Sequence, residues 1–269
     1  MPELTAEREL RQLHEAAERP DDDDDTLPAA RGSWSEAGWA TALVVFSGRG
    51  HEYDLAARLR ARGVRVVTLD TLAGGTAHDV LRNGLGRDVE ARVRRGEFDV
   101  IFIATPCASY SVAHRPQLRA RRRPWGVAAV PEAWRRYLAK HNELARFTAR
   151  LIQAADAAGC AWALENPADR GDRDSPAWWE MHADHAPIWR LPAVRDAIAE
   201  AKGTIRTFAQ CAFSAPWQKW TSLAHASCLS GVLGSLDQMR CDHGRERHES
   251  RAHGLAPDGT SRSSASAAY

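Results

Sequence analysis

Short apolar runs alternate with helix-length patterns through the middle of this chain, and that alternation constrains the fold more than any other feature. Residues 42–46, 64–69, 98–104 and 160–164 are apolar stretches of strand length. Between them, residues 53–62 and 131–158 form helix-length patterns, the second rich in Ala, Leu, Arg and Glu. Strands that alternate with helices pair in parallel through helical crossovers. The expected class is therefore α/β, with a mostly parallel central sheet and a small C-terminal extension. No internal repeat interrupts the pattern.

A chain of 269 residues can bury one substantial core. The expected organisation is an N-terminal arm over 1–38, a catalytic domain over 39–224, a small extension over 225–256 and a disordered tail over 257–269. The arm combines a helix-like segment (4–19) with an aspartate run (21–25) whose mutual repulsion opposes packing. The tail is small and polar, with too little apolar surface to offset its ordering entropy. Lys+Arg 36 against Asp+Glu 35 leaves a formal charge of +1, which excludes a global cationic field, so any nucleic-acid contact must be local. Five cysteines, an odd number, and no basic-then-apolar leader argue for a reducing, cytoplasmic setting without a disulfide framework. No apolar run approaches the roughly 18 residues of a membrane span, so a soluble chain with no membrane partner is expected.

The first expected strand runs into the turn Ser47-Gly48-Arg49-Gly50, then a helix, then a second strand ending on Asp70. Strand, glycine turn, helix, strand and acid is the order that suits a nucleoside-bearing cofactor. Glycines admit close backbone approach, and a carboxylate about 20 residues on can accept hydrogen bonds from ribose hydroxyls. An ordinary tight turn is the alternative for these glycines taken alone. Asp79 is a candidate for an adenine amino group, with a solvated helix cap as the alternative.

The third expected strand delivers the chain into Thr105-Pro106-Cys107-Ala108-Ser109-Tyr110-Ser111, and the fourth ends in Glu165-Asn166-Pro167. A cysteine just past a parallel strand's carboxyl end sits where such sheets place active sites, and the proline ahead of it stiffens the approach. Taken singly, Cys107 reads as a buried inert thiol and Glu165 as a surface acid. Their joint occurrence at successive strand ends points to a thiol and an acid converging on one ligand. After Cys107, His114, Arg115, Arg119, Arg121, Arg122 and Arg123 form a basic loop. By itself that is a solvated face; beside a base-modifying centre, phosphates become its natural partners.

In order along the chain, Phe46-Ser47-Gly48-Arg49-Gly50, Asp70, Asp79, Pro106-Cys107 followed by Ser111, and Glu165-Asn166-Pro167 resemble the motifs of cytosine-C5 DNA methyltransferases over roughly 41–221. The resemblance implies a Rossmann-like, S-adenosylmethionine-dependent methyltransferase fold. It assigns Phe46, Ser47, Gly48, Gly50, Asp70, Asp79 and Pro106 to the cofactor, which is S-adenosylmethionine or a modified analogue. It assigns Cys107 to thiolate attack at C6 of the base and Glu165, with Asn166, to recognition at N3. Ser111, Arg115, Arg121, Gln210 and Lys219 fall to the substrate, implied to be cytosine-containing DNA; RNA or a free nucleotide, or a binding protein without turnover, are the alternatives.

The pattern departs from the family further on. Gln210-Cys211-Ala212-Phe213 and Gln218-Lys219-Trp220-Thr221 stand where the family has a glutamine-arginine motif, and the arginines are missing. Lys219 is the candidate replacement, although an ammonium cannot reproduce a bidentate guanidinium contact. Only a few dozen residues follow in place of a long target-recognition region. The shortened pattern looks more like compact, phage-type relatives, in a phage- or bacterium-type intracellular context. The last segment carries Cys228, Cys241, His243 and His248 in the spacing C-x12-C-x-H-x4-H, a candidate zinc set that falls outside the common finger patterns, with solvated histidines and unrelated cysteines as the alternative.

Overall fold

The computed structural model describes residues 40–50, 52, 54–243 and 248. The expected arm and tail lie outside the described residues, as does Tyr53 at the expected start of the first helix. Six strands, β1 (Thr41–Val45), β2 (Arg65–Leu69), β3 (Val100–Ile103), β4 (Ala161–Pro167), β5 (Thr204–Ala209) and β6 (Trp220–His225), form one sheet in the order β2-β1-β3-β4-β6-β5. Strands β2, β1, β3 and β4 pair in parallel. Strand β6 runs antiparallel to both β4 and β5. The fold is α/β with a mostly parallel sheet, as the alternation of apolar runs implied, and Rossmann-like, as the family resemblance implied.

Every residue of β1 is buried, which is why its sequence is a continuous apolar run rather than an alternating one. Helix α1 (Leu55–Arg60) starts on Asp54, whose carboxylate accepts the Ala57 N–H at 2.7 Å. A short helix α2 (Thr71–Gly74) follows β2, and α3 (Leu85–Arg94) precedes β3. The longest helix, α4 (Glu132–Ala157), buries Leu138, His141, Leu144, Ala145, Thr148, Leu151, Ile152 and Ala155, one stripe at the i, i+3, i+4, i+7 spacing. Helix α5 (Pro192–Glu200) begins with its proline in the first turn, where the missing N–H costs nothing. Helices α3 and α5 both pack against α4, and the core runs from Leu43, Ile101 and Trp162 on the sheet to Phe147, Leu151 and Val194 on the helices.

Helix α6 (Ser230–Leu233) opens a strap that returns along β5. Asp237 pairs with Arg206 and accepts the Thr207 N–H at 3.0 Å, and the Met239 carbonyl accepts the Ala209 N–H at 2.9 Å. The order β2-β1-β3 places the second strand on one side of the first and the third on the other. That reversal is a topological switch point at the carboxyl ends of β1 and β3, the place where open α/β sheets receive ligands. No helix among the described residues is long and apolar enough to cross a membrane.

Candidate active site

The glycine turn follows directly from β1 at this switch point. Phe46 has a φ of 64°, a left-handed conformation that costs a bulky residue about 1–3 kcal/mol. It is held there by the Phe46 N–H donating to the Leu69 carbonyl at 2.6 Å and by the Phe46 ring packing edge-on against Phe147. Gly48 has a φ of 76°, and a Cβ there would meet no heavy atom within 4 Å, so the turn borders open space. Asp70 closes the turn. One of its oxygens accepts the Gly48 N–H at 2.8 Å and the other accepts the Leu72 N–H at 2.7 Å. Asp79 is buried, accepts the Leu81 N–H at 3.1 Å in the turn ahead of α3, and lies 3.6 Å from Arg82 and 3.9 Å from Lys140.

The Pro106-Cys107 segment is fixed from three sides. From β4, Asn166 donates its side-chain N–H to the Thr105 carbonyl at 2.7 Å, and Asn166 is fully buried. From α4, the Thr148 hydroxyl meets the Thr105 hydroxyl at 2.7 Å, and an imidazole N–H of His141 donates to the Pro106 carbonyl. From the loop after β4, His185 accepts the Arg170 N–H at Nδ1 and therefore carries its proton on Nε2, which donates to the Tyr110 carbonyl at 2.7 Å. Burial pushes the His141 imidazole down to about 3 and the His185 imidazole down to about 4, so both are neutral near pH 7. Their role toward Cys107 is positioning. Sequence reasoning passed over both, because a lone histidine in a helix or a loop carries no local pattern.

Cys107 itself is half-buried, at the head of the helical turn Ala108–Tyr110. Desolvation pushes its thiol up, the Glu165 charge adds to that, and the Lys219 ammonium opposes it. Glu165 stands on β4 opposite Leu223 of β6. Its Oε1 is buried and has no hydrogen-bond partner, for the Lys219 Nζ is 4.0 Å away, an ion-pair distance rather than a hydrogen bond. Lys219 arrives because β6 is antiparallel, so the residues that lead into it lie beside the carboxyl end of β4. Gln210 is buried behind it, donating to Thr221 at 3.2 Å and accepting from Trp217 at 3.0 Å, while its backbone N–H holds the Lys219 carbonyl at 2.9 Å.

The structure thus brings together the Phe46 to Gly50 turn, Asp70, Pro106, Cys107, Glu165, Asn166 and Lys219 at one edge of the sheet. The basic loop is divided. Arg119 is buried, donates to Ser109 and Pro124, and lies over the Tyr110 ring. Arg121 pairs with Asp169, which also binds Arg190. Arg115 is exposed and donates to the Val112 and His114 carbonyls at 2.8 Å, and Arg122 and Arg123 are exposed. Ser111 caps its own turn by accepting the Ala113 N–H at 3.1 Å.

The expected metal set needs one correction. Cys241, His243 and His248 do converge, but the fourth residue of the group is Cys211, whose sulfur lies within 4.8 Å of the Cys241 sulfur and of one ring nitrogen of each histidine. Cys228 is exposed in the turn after β6 and is not part of the group. Spacing misled here because Cys211 sits some 30 residues earlier, on the turn against which the strap folds back.

No family model matches the sequence, and no curated protein matches it. Among solved structures, the chain is similar to a DNMT2 triple mutant from Spodoptera frugiperda at 12% identity and a TM-score of 0.35, covering 71% of this chain and 51% of that one. It is also similar to the Dnmt2 methyltransferase of S. pombe at 10% identity and a TM-score of 0.34, covering 70% and 51% respectively. The chain spans about half the length of these proteins.

Proposed function

We propose that this chain transfers a methyl group from S-adenosylmethionine, or a related group from a modified sulfonium analogue, to C5 of cytosine in DNA. One observation carries the reading. A buried carboxylate oxygen without a hydrogen-bond partner, on Glu165, stands within electrostatic reach of the Cys107 thiol at the carboxyl edge of a parallel sheet. An orphaned acceptor costs stability unless a ligand satisfies it, and a pyrimidine protonated at N3 offers the matching donor.

The residues fit the donor at the glycine turn. Gly48 borders open space, and each Asp70 oxygen has accepted a single N–H, which leaves lone pairs for ribose hydroxyls. Phe46, Ser47, Gly48, Gly50 and Asp70 would hold it, with Asp79 and Pro106 bordering it. When bound, it supplies an electrophilic carbon on a sulfonium. The chain's own residues do the rest. Cytosine C5 is a poor nucleophile, and addition of the Cys107 thiolate to C6 makes an enamine in which C5 carries the electron pair. Glu165 shares a proton with N3 and so stabilises the charge that develops during addition. Lys219 offsets the Glu165 charge and favours the thiolate. As C5 takes the donor's carbon, that carbon's bond to sulfur would break to leave a neutral thioether; loss of the C5 proton to solvent water and departure of the Cys107 sulfur as thiolate then restore the aromatic ring. In a duplex the base must first leave the stack, at a cost of a few kcal/mol. The exposed Arg115, Arg122 and Arg123 supply charge for the displaced backbone.

Nucleoside mass spectrometry of DNA and RNA, each incubated with the protein and donor, tests this. The expected product is a C5-alkylated cytidine from DNA, its mass reading the transferred group. Cys107→Ser should lower the rate by at least about a thousandfold. Product from RNA alone would move the substrate, and undiminished transfer by Cys107→Ser would overturn the covalent mechanism.

A further inference from the structure

Next to Gln210 in the chain, two thiols and two imidazoles meet. Cys211 lies in the helical turn Gln210–Phe213 that follows β5, and Cys241, His243 and His248 follow the strap that returns along β5. One ligand atom from each lies within 4.8 Å of the others, and the Cys241 Sγ is 3.4 Å from His248 Nε2. The rings of His243 and His248 meet edge to face with centroids 5.3 Å apart. A tetrahedral zinc ion with bonds of about 2.0–2.3 Å sets neighbouring ligand atoms about 3.3–3.8 Å apart, so a small contraction of this group completes the shell. Both cysteines are free rather than bridged.

We propose that Cys211, Cys241, His243 and His248 form a closed structural zinc site. Two thiolates and two neutral imidazoles balance the charge of Zn²⁺, and binding releases the two thiol protons to solvent. Four protein ligands leave no open position, which makes the site structural rather than catalytic. The Gln218 side-chain amide lies 3.3 Å from the Cys241 Sγ, a donor placed to hold a coordinated thiolate. The ion clamps the strap to the Gln210 turn. That turn holds the Lys219 carbonyl through the Gln210 N–H, so the ion braces the segment that presents Lys219 to Glu165.

Elemental analysis of the purified full chain, reconstituted with ZnCl₂ under reducing conditions and desalted, should find about one zinc per chain. Replacement by Co²⁺ should give visible bands of a tetrahedral ion with thiolate-to-cobalt charge transfer. Cys211→Ser and His243→Ala should lose most of the metal, whereas Cys228→Ser should keep it all. Zinc below about a tenth of an equivalent, a Cys211→Ser chain that binds as the parent does, or loss of zinc in Cys228→Ser would each overturn the assignment. So would an intact mass two hydrogens light from a bond between Cys211 and Cys241. Should Cys211→Ser fail to fold, the cobalt spectrum of the unaltered chain decides alone, and its lacking the tetrahedral thiolate bands overturns the site. None of these readouts depends on group transfer.

Discussion

At the scale of single residues, the candidate site is a contest of charges around one sulfur. Desolvation raises the Cys107 thiol, Lys219 opposes the rise and Glu165 adds to it. Only the thiolate reacts with an alkylating agent, so the pH at which Cys107 becomes reactive reports the balance. Lys219→Met removes the opposing charge and should shift the alkylation profile of Cys107 towards higher pH. Glu165→Gln removes the reinforcing charge and should shift it towards lower pH. Peptide mass spectrometry after timed iodoacetamide labelling measures both, and shifts in one direction for both variants would refute the arrangement. Asp70 gives a second residue-scale prediction. Its two oxygens hold the Gly48 and Leu72 N–H groups, so Asp70→Ala should cost about 1–3 kcal/mol in urea unfolding, and Asp70→Asn less because its remaining oxygen can still cap.

Among the elements, the decisive relation is between β3 and β4. These strands pair in parallel with Ile103 opposite Leu164, so the residues that follow each strand's paired stretch emerge side by side. Asn166 ties them, its N–H closing on the Thr105 carbonyl in a fully buried position. Asn166→Ala leaves that carbonyl without its donor and should destabilise the fold by about 1–3 kcal/mol, read as a lowered urea midpoint with an unchanged slope. The same change should lower transfer more than stability alone explains, because the Cys107 turn loses its anchor to the strand that carries Glu165. A midpoint equal to the parent's would show that the tie contributes nothing.

For the whole molecule, the two buried histidines behind the Cys107 turn link folding to pH. Each has a folded pKa depressed below its unfolded value, His185 to about 4 and His141 to about 3. Protonation therefore favours the unfolded chain. The stability each contributes is complete above about pH 6.5 and is lost as pH falls towards the folded value, on the order of 3 kcal/mol for His185. Urea midpoints should fall between pH 7 and pH 4.5, and His185→Gln, which keeps a donor and an acceptor but does not titrate, should flatten that slope. A parent curve that is flat over this range would contradict the burial of both rings.

What the sequence determined by itself is local. Apolar runs marked β1, β3 and β4 because these parallel strands lie inside the sheet with neighbours on both sides, and the run at β2 marked an edge strand of which only Leu69 is buried. The glycine turn, Asp70, Cys107 and Glu165 stood out in the sequence as candidates because each follows or closes an apolar run, and parallel sheets receive ligands at the carboxyl ends of their strands. What only the tertiary structure decided is non-local pairing. Strand β5, Thr-Ile-Arg-Thr-Phe-Ala, carries a mixed pattern because it is the edge strand and only partly buried, whereas β6, Trp-Thr-Ser-Leu-Ala-His, is interior and buries polar Thr221, Ser222 and His225, which hides it from a search for apolar runs. The reversed direction of β6 brings Lys219 to Glu165, and the strap along β5 substitutes Cys211 for Cys228. Neither contact leaves a trace in spacing, since a ligand set or an ion pair depends on distance in space, and chain separation does not encode which loop folds back on which.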